Sequence, residues 1–384
     1  MKEQAKTLRR IGINALFLEE RQGGLETYVR ELIPALLRVR PELVLRIYVS
    51  AKGKLLLERE AWGDAVELVS HPLLGLPGTR AVIETTFLGW LATRHRLDVL
   101  HNVALTAPLR TRAANLILLS DVTWLRQPET VGRPRAALWR TLVLPAARRA
   151  DRIIAPSYAA RMEIVEDLGV APNRIDVIPH GYGLSARVAP TAEEVLRERL
   201  ELGAGPIVLA VSAPTPHKNV GTLIDAITLV RQRHPDVRLV VPGNPTAHRA
   251  DLEQRVSELG LNENVRFPGW VSEGDLEGLY RAATCFAFPS LREGFGLPIL
   301  EAMARDLPVA VAEVSALPEV AGEAALYFDP RDPHAIATAI GRLVEDADLR
   351  ARLVELGRAR RREFTWRRTA EETLRSFERA RAGG

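Results

Sequence analysis

Short, mainly apolar runs alternate along this chain with longer stretches whose apolar residues recur at helical spacing. A short apolar run bounded by turn residues reads as a strand buried on both faces, and a run with a 3.6-residue period reads as an amphipathic helix. The spacing predicts an opening strand over Arg10–Phe17, a loop EERQGG, a helix from about Leu25 to Arg38, and a returning strand LVLRIYVS. Further strands are expected at Val99–Asn102, Leu116–Leu119, Arg152–Ala155 and Asp176–Pro179. Ser157 is placed to cap a helix over Tyr158–Leu168. The segment HGYGLSARVAPT (His180–Thr191) lacks either period and reads as a linker.

The alternation then restarts. IVLAVSA predicts a strand, PTPHKN a loop, VGTLIDAITLVRQR a helix and VRLVVPGN a strand. A helix at Ala250–Leu259, a strand at Val265–Phe267, a helix at Glu273–Ala283 and a strand at Thr284–Pro289 follow. Strands alternating with helices imply an α/β protein of two doubly wound, Rossmann-like domains. Ligand loops belong at the carboxyl ends of the strands, and two such domains facing each other would form a cleft.

A length of 384 residues fits the two-domain reading, since one core seldom grows that large. No early apolar segment resembles a secretory signal and no run approaches a membrane span, so a cytoplasmic protein is expected. The lone cysteine, Cys285, falls inside a predicted buried strand and reads as core, which excludes an intrachain disulfide framework. No cluster of Asp, His or Cys has metal-ligand spacing, so no metal or other cofactor is expected.

Charge divides unevenly. Residues 1–180 hold 26 Lys and Arg against 19 Asp and Glu, a balance of +7, whereas the remainder holds 26 against 29, a balance of −3. The excess is densest from Arg110 to Arg152, with nine arginines to three acids, interleaved with Leu138, Trp139, Leu142, Val143 and Leu144. Such a stretch is either a solvated basic face or a surface for anionic lipid or an acidic acceptor. Aromatic residues are sparse and no recognition motif is present, which argues against nucleic acid. There are only five lysines, and after Lys54 only Lys218 remains. Amid so strong an arginine bias, a single lysine points to a site that needs a compact ammonium.

The stretch SLREGFGLPILEAMAR (Ser290–Arg305) carries the densest chemistry. Pro298 favours the opening of a helix, so one should start at Leu297 or Pro298, directly after the strand ending at Pro289. Gly294 and Gly296 permit close backbone approach to a ligand, and the helix start favours an anion such as phosphate. Carboxylates beside a phosphate are repulsive unless they accept from neutral hydroxyls. Glu293 at the strand end and Glu301, expected in the first helical turn, would lie on either side of a phosphate, an arrangement suited to a nucleotide-sugar. Each alone could equally be a solvated loop acid and a helix-start acid.

These residues resemble a known family. EGFGLPILEAMARDLPVAV, preceded by FPS, looks like the E-x-seven-E signature of retaining glycosyltransferases of the GT-B fold, particularly glycosyltransferase family 4. GGLETYVREL (Gly23–Leu32), SDVTWLRQPE (Ser120–Glu129), APSYAARMEIVEDLGVAPNRIDVIPHG (Ala155–Gly181), PHKNVGTLIDAI (Pro216–Ile227), VRFPGWVSEGDLEGLYRAA (Val265–Ala283) and SALPEVAGEAALYFDP (Ser315–Pro330) resemble that family in order and spacing. FTWRRTAEETL (Phe364–Leu374) resembles its closing helix.

The resemblance implies an N-terminal acceptor-side domain over 1–180, a donor-side domain over 181–365, and a helix over 366–384 that crosses back onto the first. It implies transfer of a hexose from a nucleotide-sugar, with GDP-mannose favoured, to a glycan or lipid-linked acceptor. By the same resemblance Glu293 meets hydroxyls of the transferred sugar, Glu301 holds the ribose, and the amides of Gly294, Phe295, Gly296 and Leu297 meet the diphosphate. Lys218 would neutralise the phosphates, Gly23 and Gly24 would approach the donor from the other domain, and Trp270 and Val271 would hold the base. A peripheral contact with anionic membrane would accompany a lipid-linked acceptor.

One position departs from the family. A histidine usually precedes the aspartate of the second block, and here the pair is Ser120–Asp121. Serine can hydrogen-bond a sugar hydroxyl but cannot act as an imidazole base or cation. Other GT-B enzymes such as a nucleotide-sugar epimerase, and a non-enzymatic sugar-binding protein, are alternatives. A dehydrogenase is disfavoured because no G-x-G-x-x-G follows either opening strand.

Overall fold

The computed structural model describes residues 8–19, 23–70, 80–126, 128, 132–182 and 188–383. The chain forms two compact units, residues 1–181 with 365–384, and residues 182–364.

In the first unit seven parallel strands form one sheet: β1 (Arg10–Asn14), β2 (Val44–Tyr48), β3 (Glu67–Val69), β4 (Val99–Asn102), β5 (Ala114–Leu118), β6 (Arg152–Ala155) and β7 (Ile175–Val177). Their order is β3-β2-β1-β4-β5-β6-β7. β4 is buried throughout, and β1, β5 and β6 are buried beyond their first residue, because helices cover both faces of a parallel sheet. The order reverses between β1 and β4, and ligands of open α/β sheets bind outside the carboxyl ends of the strands at such a switch. Ser157 caps the helix Tyr158–Leu168, its hydroxyl accepting from the Ala160 amide at 3.0 Å.

The closing helix, Trp366–Ala382, belongs to this unit. Its buried Trp366, Leu374 and Phe377 join the core of β1 and the helix Gly24–Val39, the Thr369 hydroxyl donates to the Pro179 carbonyl at 2.8 Å, and Arg40 pairs with Glu378 at 2.8 Å. The approach is close enough to require Gly181, where a Cβ would lie 2.3 Å from the Trp366 nitrogen.

The two units divide between Gly181 and Tyr182, inside the expected linker, but its first two residues pack with the first unit. His180 is 5 % exposed and packs edge-on against Tyr28 at 4.9 Å, because the returning helix closes over it. At the other end the Thr191 amide donates to the Gly274 carbonyl at 2.9 Å within the second unit, and residues 183–187 lie outside the described residues. The loop EERQGG likewise lies partly outside them.

The second unit has six parallel strands: β8 (Ile207–Leu209), β9 (Arg238–Pro242), β10 (Val265–Gly269), β11 (Cys285–Phe288), β12 (Val309–Ala312) and β13 (Ala325–Phe328), in the order β10-β9-β8-β11-β12-β13. β8 is shorter than IVLAVSA implies. β8, β11 and β12 are fully buried, and Cys285 within them is core, its thiol pushed up to about 12 by burial. Here the order reverses between β8 and β11, so the loops leaving these two strands flank the switch point. Those loops carry Lys218 and Glu293.

Candidate active site

The loop after β11 turns into the helix Leu297–Ala304 through Gly296, whose φ of 108° is a region that side chains rarely enter. A Cβ there would also meet the Leu317 side chain at 2.9 Å. Phe295 and Leu297 are buried, Phe295 packing edge-on against Phe364 at 5.8 Å, so their side chains anchor the turn from the core side. The Ile299 amide donates to the Gly296 carbonyl and Pro298 has no amide, so an anion at this helix start must draw on the backbone before Pro298.

A second loop braces the first. After β8 a short turn of 3-10 helix, Pro216–Lys218, leads into the helix Val220–Arg231. The Leu291 amide donates to the His217 carbonyl at 2.8 Å, and Asn219 Nδ2 donates to the carbonyls of Pro289 at 3.1 Å and Pro330 at 2.7 Å. Asn219 itself has a φ of 57°, which asparagine tolerates better than most residues. This bracing brings Lys218 Nζ within 2.5 Å of Glu293 Oε1 and 5.6 Å from the centre of the Phe288 ring. The two side chains are 22 % and 13 % exposed, enough shielding to strengthen the pair yet leave it open to a ligand.

Glu301 lies further along the helix than the sequence reading expects. With the helix starting at Leu297, Glu301 is its fifth residue and no acid occupies the first turn. Its carboxylate therefore gains little from the helix start and is held by side chains instead. Tyr280, from the helix Glu273–Ala282, donates its hydroxyl to Glu301 Oε2 at 3.0 Å. Arg305 lies one turn beyond, its guanidinium 4.6 Å from the Tyr280 ring centre. Burial pushes the Glu301 carboxyl above its ordinary pKa, opposed by Arg305 and the Tyr280 hydrogen bond.

Trp270 and Val271 follow β10 on the same side of the sheet, and Trp270 is 43 % exposed rather than packed into the core. Next to them, the Gly243 amide donates to the Gly269 carbonyl at 2.9 Å, and a Cβ at Gly243 would lie 2.1 Å from the Ser212 carbonyl oxygen. Tyr280, Asn219 and Gly243 are supports that the sequence reading missed. For Gly243 the signal was available in the PGN punctuation after a strand.

In the first unit, Gly23 and Gly24 begin the helix Gly24–Val39, exposed, with a φ of 64° at Gly23 and nothing within 4 Å of a Cβ there. Ser120 and Asp121 follow β5, two strands from β1 in the same sheet, and Asp121 Oδ1 accepts from the Thr123 amide at 2.8 Å, so it caps a helical turn. The structure thus joins Lys218 to Glu293 directly and sets Glu301, Trp270 and Val271 around the same end of one sheet. Gly23, Gly24, Ser120 and Asp121 gather at the corresponding end of the other.

Among the described residues no group of three or more His, Cys, Asp or Glu is arranged to hold a metal ion, and no helix is long and apolar enough to cross a membrane. A hollow of about 480 Å³ borders Pro216 and Asn219 and is lined by Asp225, His248, Asp251 and Arg255, but not by Lys218, Glu293 or Glu301. Of its acids, Asp225 pairs with Arg255 at 2.6 Å and Asp251 with His248 at 3.0 Å, and Glu258 accepts from Gln254 Nε2 at 2.7 Å.

Two Rossmann-like α/β units with these loops define the GT-B architecture. HepE of Anabaena, crystallised with UDP and glucose, is similar over 96 % of this chain and 98 % of its own, with a TM-score of 0.75 at 22 % identity. Two family descriptions between them match most of the chain: Glycosyltransferase Family 4 over residues 22–185, and Glycosyl transferases group 1 over residues 193–360. The chain belongs to this glycosyltransferase family. It is 35 % identical over 245 residues to D-inositol 3-phosphate glycosyltransferase of Salinispora tropica, covering 59 % of this chain and 50 % of that protein. It is 27 % identical over 302 residues to O-antigen chain mannosyltransferase B of Escherichia coli, covering 75 % and 76 %. The match thus spans about half the length of the first relative and three quarters of the second.

Proposed function

We propose that this protein is a retaining hexosyltransferase that moves a sugar from a nucleoside-diphosphate donor to a glycan or lipid-linked acceptor. The observation that carries the reading is the Lys218–Glu293 pair at the switch point, 2.5 Å apart beside a glycine-bounded helix start. A cation, oriented backbone and a carboxylate in one place serve the two ends of a leaving diphosphate and a departing sugar. Lys218 stabilises charge that develops on the phosphates, Glu293 accepts from sugar hydroxyls, and Glu301 accepts from the ribose. The leaving diphosphate takes the acceptor's proton on the same face, which retains the configuration and leaves no required role for an imidazole at Ser120.

Because Lys218 supplies the positive charge at the phosphates, the reaction proceeds without a metal, and chelator leaves it unchanged. Gly23 and Gly24 present an exposed helix start, and Trp270 with Val271 presents an edge for the base. GDP-mannose is the favoured donor, supported by similarity to the O-antigen mannosyltransferase. A peripheral contact with anionic lipid at the cytoplasmic face belongs to the same reading. It rests on the helix Arg133–Arg149, where Arg133, Arg135, Arg140, Arg148 and Arg149 are exposed and Leu138 is 52 % exposed, while Val143, Ala146 and Ala147 are buried.

The test is release of nucleoside diphosphate from a panel of UDP-, GDP-, ADP- and dTDP-hexoses, with the product's anomeric configuration read by proton NMR. Release from one donor, with retained configuration, is expected. Inversion would refute the mechanism, and no release from any donor would refute the function.

A further inference from the structure

The support beneath Glu301 is more specific than packing requires. Tyr280 is 1 % exposed, yet its hydroxyl is spent on one oxygen of one carboxylate, Glu301 Oε2, at 3.0 Å. Glu301 is only partly buried, and among the described residues its Oε1 has no protein donor yet is not one of the buried unpartnered atoms, so that oxygen stays accessible. The ring of Tyr280 is in turn clamped. Arg305 lies over it at 4.6 Å, and that guanidinium is fixed by Nε to Glu277 Oε2 at 2.6 Å and by Nη1 to the Glu301 carbonyl at 2.9 Å. Glu277 is 8 % exposed and takes Arg281 on its other oxygen at 2.9 Å. A chain Arg281–Glu277–Arg305 thus locks the tyrosine from one helix and the glutamate from the next.

We infer that Tyr280 is a positioning residue for the donor nucleotide: it fixes the Glu301 carboxylate so that Oε1 remains presented to the ribose diol. The inference rests on the reading of Glu301 as the ribose contact and deepens it. A glutamate side chain free to rotate would have to lose that freedom on binding, and one whose second oxygen is already bonded does not. Burial works against the ionised carboxylate, the better acceptor for two hydroxyl donors, and Arg305 and the Tyr280 hydrogen bond oppose that effect. Glu277 and Arg281, the other charged groups in the cluster, are paired with each other and with Arg305.

Tyr280→Phe tests this, since it deletes the hydroxyl and keeps the ring under Arg305. Affinities of wild type and variant for GDP, UDP and ADP are measured by calorimetry, each nucleotide beside its 2′,3′-dideoxy analogue. Wild type should prefer the ribonucleotide of its cognate base to the dideoxy form. The variant should lose about five- to tenfold in affinity for the ribonucleotide and less than about twofold for the dideoxy analogue, the net size of one ordinary hydrogen bond. In a Glu301→Ala background Tyr280→Phe should cause no further loss of ribonucleotide affinity. Equal losses on both nucleotides would make Tyr280 a general packing residue and overturn the inference, as would no loss on either. Should wild type fail to distinguish ribose from dideoxyribose, the reading of Glu301 itself falls, and the inference with it.

Discussion

Replacing Lys218 by alanine separates a structural ion pair from a catalytic cation. In the resting protein the ammonium lies 2.5 Å from Glu293, with the two side chains 22 % and 13 % exposed. A fully exposed pair contributes between nothing and about 1 kcal/mol, and breaking a fully buried one costs about 3 to 5. This pair lies between the limits, largely shielded but with either partner able to turn to water, so Lys218→Ala should cost about 1 to 3 kcal/mol of folding stability. At the phosphates the same ammonium faces charge that grows as the sugar departs, where one preorganised cation or donor is worth about 3 to 4 kcal/mol, on the order of a 100- to 1000-fold loss in turnover. Lys218→Arg should recover only part of it, since a planar fork does not reproduce a point charge. Urea denaturation of the free protein and single-turnover transfer at saturating donor measure the two effects separately. A variant that loses stability but keeps kcat would show that Lys218 only braces Glu293, and wild-type turnover in Lys218→Arg would show that any cation suffices.

Ser120→His should change the single-turnover rate by less than about tenfold, under roughly 1.4 kcal/mol, because the leaving diphosphate rather than residue 120 takes the proton; a gain of about a hundredfold would contradict that. His101 and His180 are held neutral by burial, each with its pKa lowered to about 3, so the unfolded chain binds more protons as pH falls below the ordinary value of 6.5. Stability should therefore decline from pH 7 toward pH 5 by about 2 kcal/mol for each. His101→Phe should reduce that slope in urea titrations, and an unaltered slope would assign it to other groups. Liposomes with anionic lipid should bind the protein reversibly through the arginines of Arg133–Arg149, more weakly as salt rises, and absence of binding at low ionic strength would favour a soluble acceptor.

The strands were legible where burial on both faces leaves a short, mainly apolar run between turns, as at Val99–Asn102 and Arg152–Ala155, whose bounds agree with β4 and β6 even though His101 and Asn102 are buried polar residues. β3 was not, since only three residues pair at that edge and none is fully buried. The division between the units falls inside the expected linker, but the burial of His180 and Gly181 was not legible, because they carry turn chemistry in sequence and pack against Trp366, some 185 positions away. Lys218 stood out by composition, and Glu293 and Glu301 by spacing, but the Lys218–Glu293 contact spans 75 positions and needs the crossing from β8 to β11. Tyr280 gave no local signal at all. A tyrosine on an amphipathic helix reads as core, and only the neighbouring helix turns its hydroxyl into a support for a carboxylate.

The most direct measurement is a crystal structure with the nucleoside diphosphate that the donor panel selects. The account predicts its phosphates on the backbone of Gly294–Leu297 within hydrogen-bond reach of Lys218 Nζ, and its ribose hydroxyls on Glu301 Oε1. A nucleotide seated instead in the hollow beside Asp225, His248 and Arg255, or with Lys218 still closed on Glu293 and away from the phosphates, would contradict it.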